Sequence, residues 1–301
     1  MKKSVIAVTA AMFLTAVSFS ATPDVTKITE GLNAFSTTLL DTVPNTATQQ
    51  GVWSDAWIGN LIPSVPPHFG GGISAGFAQL DMTGLAQAAN ELGISISSDK
   101  LFLPTVTADV RIGGIFLPFD LGLSFMKIPA VSLEAFGAGI TVDFFTIGGS
   151  VRFPVLKGNV ILPKVSVGAG FMYTTGSIQA SASDNAVYTS VAFNTKTVYA
   201  EAQISKTFFI ITPFFGVRGI LSDSKNDWAW KYNASFGGYT IGDEEKGSVT
   251  RKFSDDFLDN FQAQAYAGLS LNIFIIQTTV GASYNFGSNI WGGNLSLRIK
   301  L

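Results

Sequence analysis

Asn294-Leu295-Ser296-Leu297-Arg298-Ile299-Lys300-Leu301 is the stretch that ends this 301-residue sequence. Apolar residues stand at 295, 297, 299 and 301, with polar or charged ones at 294, 296, 298 and 300. A period of two is the mark of a strand with one oily face and one wet face. In a soluble protein the oily face would meet a core, and more strand or a polar tail would usually follow. Here the sequence stops on a leucine.

The totals ask the same question of the whole chain. It is 47% hydrophobic and only 13% charged, where about 25% charged is ordinary for soluble domains. Yet no run after residue 21 approaches the ~20 apolar residues that a transmembrane helix needs. Apolar content without apolar runs means that oily residues are interleaved with small and polar ones, as in a membrane barrel whose lipid-facing and lumen-facing positions alternate. A large soluble β-sandwich is the alternative. The net charge of −2 gives no electrostatic case for nucleic acid. The absence of cysteine excludes disulfides, thiolate metal sites, a catalytic thiol and a lipid-modified N-terminal cysteine.

In chain order, Lys2 and Lys3 precede an apolar stretch from Val5 to Val17, and Ser18-Phe19-Ser20 supplies small residues for cleavage after Ser20. Residues 1–20 therefore read as a signal peptide, outside the fold. Residues 21–67 form a helical, plug-like segment. Val25, Ile28, Leu32, Phe35, Leu39 and Val43 recur at helical spacing. Pro23-Asp24 offers a start and Pro44-Asn45 a stop. A polar, proline-punctuated connector follows, through Trp53, Trp57 and Pro63 to Pro66-Pro67. The helix could pack on the periplasmic rim, could stay loosely ordered, or could thread the lumen.

Residues 68–301 keep the period of two. Thr105–Ile112, Phe119–Phe125, Lys164–Phe171 and Phe261–Tyr266 alternate without a fault. Four short connectors are rich in Phe: Gly114–Leu117, Asp143–Thr146, Lys206–Phe209 and Asn272–Ile275. Phe-rich reversals suit a barrel rim at the lipid–water interface. The other connections are longer and more polar, the longest running from Ser222 to Asn260. A helical piece is expected around Gly84–Leu92 in the first of them. Short turns on one side and long loops on the other make the short side periplasmic. If all four Phe connectors share that side, the even-strand rule asks for about twelve strands, with ten as the alternative. The larger number requires a hidden strand near Gly176–Ser183; otherwise one Phe connector is misassigned.

Assigning the polar parity to the interior puts Asp109, Arg111, Asp120, Arg152, Lys164, Glu201, Arg218, Arg298 and Lys300 in the lumen, six basic groups against three acidic. On the lipid face each would cost up to ~2–4 kcal/mol at the midplane. Neutral inward positions such as Gly168, Gly170, Gln262, Gln264, Ser270 and Gln277 are small or amide-bearing, which leaves room for water or solute. These charges either pair with one another in a closed interior or line a narrow wet passage, where Arg and Lys favour anionic or polyhydroxyl solutes. Catalysis has little to stand on. The only histidine is His68, at the mouth of the first strand, with no serine or carboxylate placed beside it. No metal-ligand spacing or cofactor motif stands out, so no enzyme, metal or cofactor is expected.

The leader, the alternating strands and the last strand together resemble bacterial outer-membrane β-barrel proteins across the whole mature chain. The assembly signal of that class is matched by Asn294 at its polar place and by Ile299 and Leu301 at its apolar ones; Ser296 stands for the usual glycine and Leu301 for the usual aromatic. The resemblance implies an outer-membrane location, with membrane lipid and the barrel assembly machinery as partners. The N-terminal helix and Phe-rich strands also look like the long-chain fatty-acid transporter group, whose N-terminus forms a hatch. Its Asn-Pro-Ala start is missing here and the inward face is polar. Twelve-stranded channels for nucleosides or acidic sugars fit the lumen better. The expectation is an all-β, monomeric outer-membrane channel or passive transporter for small polar solutes, anionic ones included. The alternatives are a fatty-acid-type transporter and a closed barrel acting as surface adhesin or structural anchor, with Trp228, Trp230, Tyr232 and Tyr239 as recognition residues.

Overall fold

The computed structural model describes residues 24–49, 51–65, 67–96, 98–133, 139–182, 187–232, 235–236, 239–240 and 244–301. The leader expected at 1–20 lies outside them. The elements in order are α1 (Val25–Gln49), β1 (Phe69–Asp81), α2 (Thr83–Glu91), β2 (Lys100–Gly113), β3 (Asp120–Leu133), β4 (Gly139–Lys157), β5 (Lys164–Ala182), β6 (Val187–Ser205) and β7 (Ile211–Tyr232). They continue with β8 (Ser235–Phe236), β9 (Tyr239–Thr240), β10 (Glu245–Arg251), α3 (Phe257–Asn260), β11 (Gln262–Ile273), β12 (Ile276–Asn285) and β13 (Trp291–Lys300).

Ten of these strands close an antiparallel barrel in the order β7-β11-β12-β13-β1-β2-β3-β4-β5-β6, and β6 returns to β7. The strand that ends the chain completes the wall: Leu297 faces Ile73 of β1 on one side and Thr278 of β12 on the other. Strand β10 stands outside the closed ring, paired only with Ser224–Trp230 of β7, above the stretch Ile211–Ile220 that β11 occupies. The two are successive pieces of one descending path, interrupted by α3.

The expected twelve strands are corrected to ten, and the error has one origin. Asp143–Thr146 is not a turn but the interior of the 19-residue strand β4. Phe144 points inward against Phe193, at 5.4 Å between ring centroids, and Phe145 packs on Phe125 at 5.4 Å. Both faces are apolar at that level, so the alternation loses its contrast and looks like a break. The true short turn lies between Lys157 and Lys164. Residues 176–182, where a further strand was sought, simply prolong β5.

Outward residues explain where this barrel can live. Leu121, Leu123 and Phe125 on β3, Phe215 and Val217 on β7, and Leu295, Leu297 and Ile299 on β13 are all exposed. At the short-turn end Phe116, Phe209 and Phe274 project almost completely. A continuous apolar belt of this size is untenable in water and is what a bilayer requires of a closed barrel, whose backbone is satisfied internally. Among the described residues no helix is long and apolar enough to cross a membrane, so the strands do the crossing. The protein is a membrane-spanning β-barrel.

Above the belt, strands β3–β7 continue with the same positions facing inward, but the chemistry of the outer face changes. Outward positions become charged, as at Lys127, Lys196, Asp223 and the Lys225–Asp227 pair. Inward positions pass from small hydroxyls, such as Thr195 and Ser224, to apolar side chains higher up. Leu101, Met126, Ile128, Val142, Phe144, Ile178, Val191, Phe193, Trp228 and Trp230 form one buried core with Leu85, Ala88, Ala89 and Leu92 of α2 and with Ile28, Leu32, Phe35, Leu39 and Val43 of α1. The helical stripe expected from the sequence is thus satisfied by an apolar chamber at the long-loop end. Trp228 and Trp230 belong to that core and are 6% and 3% exposed, which removes them from the expected recognition surface.

Candidate functional site

The lumen at membrane level is occupied by the chain's own N-terminal segment, and its geometry can be followed downward from the long-loop end. Trp228 Nε1 donates to Asn33 Oδ1 at 2.8 Å, and Asn226 Nδ2 to the Ser36 carbonyl at 2.6 Å. About two turns lower the helix passes through Pro44, where the sequence predicted that it stops. Proline cannot donate to the carbonyl four residues earlier, which here is Leu40. That carbonyl accepts instead from Arg251 Nη1 at 3.0 Å and Gln262 Nε2 at 3.4 Å. The barrel supplies the bonds that proline removes, and the helix continues to Gln49. Asn45 meets Gln262, Gln264 and Asn285 on β11 and β12.

The C-terminal end of α1 lands on Arg218. Its Nη1 donates to the Thr48 carbonyl, a cation at the negative end of the helix. The guanidinium lies between the rings of Tyr199 and Tyr266, 4.7 and 4.8 Å from their centroids. Glu201 accepts from it at 2.6 Å and from the Tyr266 hydroxyl at 3.2 Å. Gly170, expected to leave space for solute, makes room for a ring instead. A Cβ on it would sit 2.4 Å from Tyr199, and one on Gly216 would sit 2.3 Å from Tyr266, a cross-strand cover of glycine by an aromatic.

Below Gly51 (φ +71°) the segment is no longer helical and is bonded to several strands of the wall. Trp53 Nε1 donates to Asp109 Oδ1 at 2.7 Å, and Arg298 clamps the same carboxylate at 2.9 to 3.2 Å. The Arg298 guanidinium lies 5.0 Å over the Trp53 ring. Gly70 and Gly72 of β1 let both side chains lie flat, since a Cβ there would meet Trp53 at 2.8 Å and Arg298 at 2.8 Å. Asp120, fully buried, accepts from Arg111 at 2.7 Å, from Arg152 at 3.0 and 3.1 Å, and from the Ile58 amide at 3.3 Å. At the short-turn mouth Asp55 bridges Lys164 at 3.1 Å and Lys300 at 2.7 Å, and accepts from Gln277 at 2.9 Å. The segment leaves beside the β2–β3 turn, where the Leu61 amide donates to the Gly114 carbonyl. His68 lies half-buried over Gly59; desolvation, then Lys164 and Lys300, hold its imidazole below the ordinary value.

All nine inward charges named from the sequence face the interior, and each is paired. The residues that complete them were not legible. Tyr199, Gln203 and Tyr266 share the inward parity but carry no charge to draw attention. Trp53 and Asp55 lie in a connector without periodicity. Asp55 adds a fourth carboxylate to this set, so its six-to-three basic excess becomes six to four. Two voids beside the segment, one near Val52 and Phe214 and one near Gly51 and Ser124, measure about 10 Å³ each, room for about one water.

No family model and no curated protein matches this chain. Among solved structures, the outer-membrane protease OmpT of Escherichia coli is 9% identical with a TM-score of 0.49, over 83% of this chain and all of that one. The translocator domain of the autotransporter NalP from Neisseria meningitidis is 11% identical with a TM-score of 0.40, over 80% and 90%. The KdgM porin, in complex with disordered oligogalacturonate, is 10% identical with a TM-score of 0.29, over 75% and 97%. All three are outer-membrane barrels, and at these similarities they add nothing about activity.

Proposed function

We infer that this is a closed outer-membrane barrel, sealed at rest by its own residues 24–49 and 51–60, which serves as a structural anchor for the chamber above the membrane. The observation that carries this reading is the pairing of the lumenal charges. Arg152, Asp120, Arg298 and Asp109 are 1%, 0%, 1% and 7% exposed and are bonded to one another or to the segment, not turned toward water. A diffusion pore for anions needs the opposite, basic groups facing a wet path. A fatty-acid route needs an apolar path, and this interior is built of Arg, Asp, Gln and Tyr at membrane level. Liposome swelling tests the reading. The full chain should admit neither neutral nor anionic small solutes, and entry at rates proportional to protein would overturn it.

A gated passage for polar solutes is the second reading, favoured by one feature: the ion pairs that hold the segment at the short-turn mouth, to Lys164 and Lys300, both pass through Asp55. If gating occurs there, Asp55→Asn should raise the frequency of open events in planar bilayers. An unchanged, silent record would end that reading and leave the anchor.

A further inference from the structure

The segment runs through the barrel in a definite direction. Its beginning lies at the long-loop end: Lys27 Nζ is 3.2 Å from Glu91 at the end of α2, Gln87 donates to the Lys27 carbonyl at 3.4 Å, and Gly31 packs on Gly84. Helix α2 belongs to the connection between β1 and β2, one of the long ones. The segment's other end, Leu61, is bonded to the turn at the short-turn end, and Phe69 then opens β1 there, paired with Leu301. A helix pushed into the barrel from the short-turn side as a hairpin would have its middle at the top and both ends at the bottom. Here residues 33, 45, 48, 53, 55 and 61 meet successively lower levels of the wall. The chain crosses once, top to bottom, before the first strand begins. The 25-residue helix is about 37 Å long, enough by itself to traverse a hydrocarbon core of about 30 Å.

Short turns of an outer-membrane barrel face the periplasm, which is also where an exported chain arrives. We propose that the barrel has conducted its own N-terminal segment outward through the lumen, so that the start of α1 stands on the cell surface. The chemistry of guest and wall suits such a route. Between residues 31 and 60 the only charges are Asp41 and Asp55, and each meets a basic wall group, Arg251 or the Lys164–Lys300 pair. A basic wall draws an acidic guest and disfavours a basic one. The contact between α1 and strands β6 and β7 is made partly by small hydroxyls, Ser36, Thr195, Thr197, Ser222 and Ser224, whose oxygens have no protein partner.

Site-directed labelling decides this cleanly, because the chain has no cysteine of its own. Four exposed apolar positions take single cysteines: Val25→Cys at the start of α1, Leu258→Cys in α3 on the long-loop side, and Val65→Cys and Val160→Cys at the short-turn end. Intact cells are treated with a polymer-linked maleimide too large for porins. Val25→Cys and Leu258→Cys should react, while Val65→Cys and Val160→Cys should react only after the outer membrane is permeabilised. Protection of Val25→Cys while Leu258→Cys reacts would overturn the proposal, as would reaction of Val160→Cys in intact cells. Heat-dependent gel mobility reports that each variant is folded. An epitope inserted before Val25 gives a second readout: antibody binding to intact cells is expected, and its absence in a folded variant counts against the proposal. Solute entry in the swelling assay would remove the closed-barrel reading and leave this one standing.

Discussion

Asp120 is the side chain whose loss would say most about the lumen. Its carboxylate joins Arg111 and Arg152, and all three are at most 5% exposed. In Asp120→Ala both guanidiniums stay where they are, without their counter-charge and without water. Breaking a buried pair by removing one partner costs roughly 3–5 kcal/mol, because the cost lies in the charge left behind. With a urea slope of about 2 kcal/mol per M, the unfolding midpoint should fall by roughly 1.5–2.5 M. Tryptophan emission of the protein folded in lipid vesicles follows the transition. The triple variant Asp120→Ala/Arg111→Met/Arg152→Met separates charge from packing. Since an apolar filling of similar volume is often neutral or better, it should recover most of the loss. A shift below about 1 kcal/mol in Asp120→Ala, the value of a solvated pair, would mean that water reaches these guanidiniums. The closed lumen would then be wrong.

Other perturbations test the segment at separate points. Gly31→Leu brings a Cβ to 2.6 Å from the Gly84 carbonyl and 3.0 Å from the Ala88 amide; overpacking of this kind costs about 1–3 kcal/mol, and hydrogen exchange over 25–43 should accelerate while the strands stay protected. Gly51→Val forces a branched residue to φ +71°, a cost of at least about 1–2 kcal/mol, and should lower thermal stability where Gly51→Asn does so less. His68 is the sole histidine, so its NMR titration is unambiguous. Its folded value is depressed below 6.5, so its contribution to stability is full above 6.5 and falls as pH drops through the folded value; a midpoint above 6.5 would contradict the burial and the two lysines.

What the chain states by itself is its relation to lipid. The strict alternation in 105–112, 164–171 and 294–301, and the consistent parity of nine charges, suffice for a membrane barrel, because a pleated strand must send successive residues to opposite faces and lipid tolerates only one kind of face. The helical stripe from Val25 to Val43 is legible for the same geometric reason. Alternation falls silent where both faces are apolar, and this is why Asp143–Thr146 reads as a turn and inflates the count to twelve. The extent of α1 is equally hidden, since Pro44 ends a helix unless something else takes the orphaned carbonyl, and Arg251 and Gln262 lie more than 200 residues away.

The strand quoted at the outset shows the same division. Its period established which side of Leu295, Leu297 and Ile299 meets lipid and that Arg298 and Lys300 face inward. It held no information on what waits there. Arg298 is committed to Asp109 and Trp53, and Lys300 to Asp55, because closure of the barrel brings the two ends of the chain together. Periodicity is a local property of the backbone and survives in a single strand. Whether a lumen is open depends on contacts between residues far apart in sequence, and only the assembled barrel, with its own first residues threaded through it, decides that.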